Sequence, residues 1–125
     1  MNPEINEVTE KIIGAAIEIH RELGPGLLES AYEVALAYEP GLRGVSLERQ
    51  KAQPIRYKGL LIEVGYRMDL LVEDSVIVEL KAVETLLPIH KAQLITYLKL
   101  ADKRIGLLIN FNVPLLKRGI VHLAN

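Results

Sequence analysis

Between Leu60 and Lys81 two arms of alternating apolar and polar residues flank a three-residue break, the clearest strand signal in the chain. On the first arm Tyr66, Met68, Leu70 and Val72 alternate with Arg67, Asp69, Leu71 and Glu73. On the second, Val76, Val78 and Leu80 alternate with Ile77, Glu79 and Lys81. A two-residue period is that of a strand with one face on a core. Glu73-Asp74-Ser75 reads as a tight turn, so the segment is expected to be a β-hairpin. Burial then sets its register. If the two apolar sets share a face, Leu70 pairs with Val78 and Val72 with Val76, because a one-residue slip would turn a whole set over. The same register sets Asp69 opposite Glu79, with Lys81 two residues on and facing the same way.

Two carboxylates held that close repel unless a cation or a proton lies between them. Hard divalent ions such as Mg²⁺ accept carboxylate oxygens and keep several waters. Such an ion lowers the pKa of a bound water, orients it and offsets charge on a phosphoryl group. A protonated Lys81 beside it would position the attacking hydroxide or stabilise the transition state. As a bare string, Asp-x9-Glu-x-Lys is weak evidence, and on the string alone a surface hairpin with an ordinary cross-strand Glu–Lys pair is the better reading.

The surroundings add information. Val8, Ile12, Ala15, Ile19 and Leu23 follow helical spacing, so residues 3–23 read as an amphipathic helix ended by Gly24-Pro25-Gly26. A second helix is expected from about Leu27 to Tyr38, stopped by Pro40-Gly41. Two short strands are expected near 45–50 and 53–57, with a turn at Lys58-Gly59. After the hairpin, Pro88 opens a helix to about Asp102, Arg104–Asn110 reads as a buried strand, and a short strand follows near 118–123. The order is helix, three-strand meander, helix, strand, with additions at both ends, in one domain spanning 1–125. That order predicts an α/β sheet with helices on its faces.

Charge is uneven along the chain. Residues 1–85 carry nine Lys/Arg against fifteen Asp/Glu, whereas 86–125 carry six against one. Such asymmetry points to nucleic-acid contact, but a solvated helix face and tail explain it as well. The absence of cysteine excludes disulfides, thiolate metal sites and cysteine nucleophiles. The most apolar stretch, Ile105–Leu116, is interrupted by Asn110, Asn112 and Pro114, so no membrane span is expected. Met1-Asn2-Pro3-Glu4 lacks the features of a secretory leader, which makes the cytoplasm the expected compartment.

Taken with these surroundings, Asp69, Glu79 and Lys81 resemble the Asp…Glu-x-Lys signature of the PD-(D/E)XK nuclease superfamily. Gly26-Leu27-Leu28-Glu29-Ser30-Ala31-Tyr32 is similar to the motif that names the GxxExxY family. Segments 65–72, 78–82, 90–97 and 106–111 are similar to that family too. Two departures stand out: Met68 sits where the superfamily name would put proline, and Pro40-Gly41 interrupts what the resemblance would make a longer helical segment. The resemblance implies a restriction-endonuclease-like αβββαβ core, a mixed central sheet flanked by helices, and a Mg²⁺- or Mn²⁺-dependent nuclease acting on nucleic acid, DNA above all.

It also implies roles for individual residues. Asp69 and Glu79 would hold the metal, with Glu29 as a third carboxylate, as in RecB-like members. Otherwise Glu29 is a first-turn acid favoured by the helix dipole. Lys81 would serve the nucleophile. Gln93 and Tyr97, one turn apart, would contact substrate, or else pack over the sheet. Lys91, Lys99, Lys103 and Arg104 would meet flanking phosphates. Tyr32 is expected in the core, and His20 and His122 are read as structural. A non-catalytic nucleic-acid- or protein-binding module on the same fold is the alternative. A homodimer would supply a second site for duplex cleavage.

Overall fold

The structure is a computed structural model describing residues 3–125, without the side chains of Pro3, Glu4 and Val64. Three α-helices and five strands follow in the order α1 (Pro3–Leu23), α2 (Glu29–Tyr38), β1 (Leu47–Tyr57), β2 (Leu60–Val72), β3 (Val76–Lys81), α3 (Pro88–Ala101), β4 (Ile105–Asn110) and β5 (Ile120–Ala124). The sheet order is β1-β2-β3-β4-β5. Among the described residues only the β3–β4 pair is parallel, because α3 crosses over between them; the other neighbours are antiparallel.

Two apolar clusters sandwich the sheet. On one face Ile12, Ala15, Ala16 and Ile19 of α1 and Tyr32 and Leu36 of α2 pack on Leu70, Val72, Val78, Leu80, Leu107 and Ile109. On the other, Leu94 and Leu98 of α3 pack on Met68, Leu71, Ile77 and Leu108. Each fully buried aliphatic side chain of this kind contributes about 1.5–3 kcal/mol. The central strands are therefore covered on both sides, and Val76 to Leu80 are buried without a break.

The hairpin has the expected register, Leu70 with Val78 and Val72 with Val76, around the three-residue turn 73–75. Glu73 and Asp74 both adopt positive φ, 52° and 50°, and Ser75 N–H closes the turn on Val72 O. One expectation is corrected. Tyr66 and Met68 were expected on the face of Leu70 and Val72, but they pack with Leu71 against α3. Because both faces of the sheet are apolar, either phase buries them, and the change of phase falls at Asp69.

The two strands expected near 45–50 and 53–57 are one strand, β1, whose pairing with β2 shifts between Gln53 and Ile55. Pro54 lies in that shift, where a missing N–H costs no ladder bond. Gly65 faces it so closely that a Cβ would come within 2.5 Å of Gln53 O. The helix expected from Leu27 begins at Glu29, and that places Glu29 in its first turn.

Candidate active site

Asp69 stands where β2 and β3 part. The paired rungs between these strands run from Val72–Val76 to Leu70–Val78 and stop there. Beyond them Leu80 N–H donates to Asp69 Oδ2 at 2.8 Å, so a carboxylate oxygen takes a donor that a continued ladder would have satisfied. The other oxygen, Oδ1, faces Gln50 Nε2 at 3.4 Å.

Glu79 is the adjoining acid. Its partner on β4 is Leu108, which puts it on the α3 face, and it is only 7% exposed. Its Oε1 is buried and has no hydrogen-bond partner among the described residues. Burial raises the Glu79 pKa to about 9, helped by the charge of Asp69 and by a carboxyl–carboxyl hydrogen bond with it; the Asp69 amide and the Lys81 charge act the other way. Asp69 itself accepts from the Leu80 main chain and faces the Gln50 amide. Lys81 follows on the same side of β3, half-buried, and forms no ion pair among the described residues. Its backbone is fixed by Phe111 N–H donating to Lys81 O at 2.9 Å.

Two tyrosines border the acids. Tyr66 and Tyr97 stack with ring centroids 3.9 Å apart and planes 7° apart, and the Tyr66 hydroxyl donates to Tyr97 O at 2.9 Å. Burial, then the neighbouring Tyr97 and Glu79, push the Tyr66 hydroxyl up to about 12. Tyr97 is raised as well, by burial and then by Glu79 and Asp69. Gln93, one turn before Tyr97, is exposed. At about 100° per residue, Lys91 and Lys99 fall on the flank of α3 away from Gln93 and Tyr97, and both are exposed. Lys103 is engaged by Asp74 at 3.2 Å.

The three expected carboxylates do not all converge. Glu29 is exposed and lines a cleft of about 390 Å³ with Ser30, Glu33, Gln50, Asp69 and Leu80. Among the described residues no group of three or more Asp, Glu or His is arranged to hold a metal ion. Glu29 thus shares the Asp69 side of the cleft, while Glu79 meets Asp69 from the α3 side. The Tyr32 hydroxyl donates to Gly24 O at 2.7 Å and accepts Leu27 N–H at 3.1 Å, and its ring stacks on Phe111 at 4.1 Å. That tyrosine fastens the 24–27 loop to α2 and so sets where Glu29 starts. His20 Nε2 lies 2.8 Å from Val113 O, and His90 Nδ1 accepts Leu87 N–H at 3.0 Å, capping α3.

Sequence reasoning missed Arg49, Gln50, Tyr66 and the role of Glu33. Glu33 is buried between Tyr32 and Leu36 on α2, and a buried acid requires donors. An acid on the apolar stripe of a helix was the available signal; which strand supplies its donors was not readable.

Antiparallel strands leading through an Asp to a parallel Glu-x-Lys strand, with a helix crossing over, define a nuclease-like α/β core. A model of the PD-(D/E)XK nuclease superfamily matches residues 6–123, and the chain belongs to that superfamily. Neither a curated protein nor a solved structure matches it. No helix among the described residues is long and apolar enough to cross a membrane.

Proposed function

We propose that this chain is a metal-dependent nuclease of the GxxExxY, RecB-like branch, hydrolysing phosphodiester bonds of nucleic acid, DNA foremost, with Asp69, Glu79 and Lys81 as its catalytic residues. The observation that carries the reading is the Asp69–Glu79 pair with its orphaned, buried Glu79 Oε1. An all-oxygen site built on two carboxylates fits Mg²⁺ or Mn²⁺, since Mg²⁺ commonly takes one or two carboxylates and fills its remaining positions with water and substrate phosphate. Asp69 and Glu79 would hold the ion and Glu29 would reach it from the cleft rim. When bound, the metal supplies an activated water and offsets phosphoryl charge. Lys81, free of ion pairs among the described residues, is available to orient the nucleophile.

Tyr97 and Gln93 are assigned to the nucleic-acid strand beside the acids, Tyr97 being braced by Tyr66. Lys91 and Lys99 would meet phosphates further along, around α3. Two copies would be needed to cut both strands of a duplex, and a cytoplasmic homodimer fits that requirement. The test is cleavage of single- and double-stranded DNA and RNA with Mg²⁺, Mn²⁺ or EDTA, comparing wild type with Lys81→Ala. Metal-dependent cleavage that falls at least about 100-fold in the variant supports the reading. Binding of nucleic acid without cleavage by either protein would establish instead a non-catalytic module on the nuclease fold.

A further inference from the structure

On the Asp69 side of the site lies a hydrogen-bonded network that the proposed nuclease chemistry does not use. Glu33 of α2 is 7% exposed, and both its oxygens are occupied. Oε2 accepts from Arg49 Nε at 3.1 Å and from Arg49 Nη2 at 3.0 Å, and Oε1 accepts from Gln50 Nε2 at 2.6 Å. The same Gln50 nitrogen faces Asp69 Oδ1 at 3.4 Å. Gln50 sits across from Asp69 in the β1–β2 register, between the pairs Arg49–Leu70 and Lys51–Met68. Its backbone φ is +49°, a left-handed conformation unusual for a non-glycine strand residue.

Three features of this network bear on an adjacent cation. With a carboxylate on either side of Nε2, the Gln50 amide can present only its nitrogen to Asp69. That amide is a donor without charge, so it steadies Asp69 while leaving its negative charge for a metal. Two guanidiniums flank Gln50: Arg67 Nη1 donates to the Gln50 main-chain O at 3.2 Å, and Arg49 is turned onto Glu33 by two hydrogen bonds, which offset its charge. An unpaired guanidinium at this place would compete with a divalent ion for Asp69.

We propose that Glu33, Arg49 and Gln50 form a charge-neutral clamp in which Gln50 positions Asp69 and Glu33 keeps the Arg49 guanidinium off the carboxylate that binds metal. This rests on the metal-dependent reading above. Gln50 and Glu33 are positioning residues, since neither is assigned to the ion. The strained backbone at Gln50 has a purpose in this account: it brings a side-chain amide into the space between α2 and the fork of β2 and β3.

The test is Mn²⁺ binding by titration calorimetry on four full-length proteins: wild type, Gln50→Leu, Glu33→Gln and the double variant Glu33→Gln/Arg49→Met. Glu33→Gln is expected to weaken Mn²⁺ binding by about tenfold, in the range of ligand-supporting residues. The double variant, which removes the released guanidinium too, is expected to recover affinity to within about threefold of wild type, although it lacks the same carboxylate. Gln50→Leu is expected to weaken binding by about tenfold and also to lower the thermal midpoint of the metal-free protein, because the buried Glu33 Oε1 loses its donor. Equal Mn²⁺ affinity in all four proteins overturns the clamp while leaving the nuclease reading intact. A double variant no tighter than Glu33→Gln overturns the role given to Arg49. A wild type that binds no Mn²⁺ removes the metal reading itself.

Discussion

Asp69 Oδ2 accepts the main-chain N–H of Leu80 at 2.8 Å at the point where the β2–β3 ladder ends. One side chain therefore both terminates the hairpin pairing and anchors an acid against Glu79. Stability and chemistry meet at this residue, and the mutational expectations below separate them.

The Glu79 pKa gives the metal-free protein a pH dependence of definite sign. Its folded value, about 9, lies above the ordinary carboxylate value, so the folded state binds the proton more tightly than the unfolded chain. The associated stability is present in full below the unfolded pKa and is lost as pH rises toward 9. Urea unfolding at pH 5 and pH 8.5 should show a loss of at least about 1.4 kcal/mol, the equivalent of one pKa unit. In Glu79→Gln this component should vanish. A wild type as stable at pH 8.5 as at pH 5 would show that Glu79 is not held protonated.

Mg²⁺ or Mn²⁺ should raise the thermal midpoint, since a ligand of the folded state alone contributes about 2.7 kcal/mol at a hundred times its Kd. Asp69→Asn should abolish that shift by removing a charged ligand. Its effect on the metal-free protein should be small, because asparagine retains an acceptor for Leu80 N–H and Glu79 already carries a proton. Differential scanning fluorimetry with and without metal reads both numbers. A full metal shift in the variant would place the ion elsewhere.

Much of this arrangement is legible in the sequence. The hairpin register follows from the apolar residues 70, 72, 76 and 78, whose burial leaves no alternative pairing, but the paired rungs end at Leu70–Val78, so Asp69 and Glu79 meet across the fork and not as the directly opposed pair the register predicts. Helix α1 is equally plain, as Ile12, Ala15, Ala16 and Ile19 form one buried stripe. The phase change at Met68 is not legible, because a sheet covered on both faces rewards an apolar residue on either side. Nor is the clamp: Glu33, Gln50 and Asp69 come from three elements, and their meeting is decided by how α2 packs on the sheet. Glu29 shows the same limit. Its motif places it near the site, but whether an exposed first-turn acid points inward is a matter of side-chain geometry.

The tyrosine of the Gly26–Tyr32 motif should matter to stability and not to metal binding. Tyr32→Phe keeps the stack on Phe111 but strips Gly24 O and Leu27 N–H of their shared partner. The expected cost is about 1–3 kcal/mol by chemical denaturation, with the Mn²⁺ Kd unchanged. A variant with wild-type stability and weakened metal binding would instead assign Tyr32 to the site.

The central claim is that Glu79, beside Asp69, holds a proton that a divalent metal displaces. Calorimetric titration of Mn²⁺ into the wild type at pH 7, in two buffers of different ionisation enthalpy, measures that exchange directly. Ligand carboxylates must be deprotonated to bind metal, so the account predicts about one proton released per ion bound and no such release from Glu79→Gln. Mn²⁺ binding whose heat is the same in both buffers, or no binding at all, would contradict it.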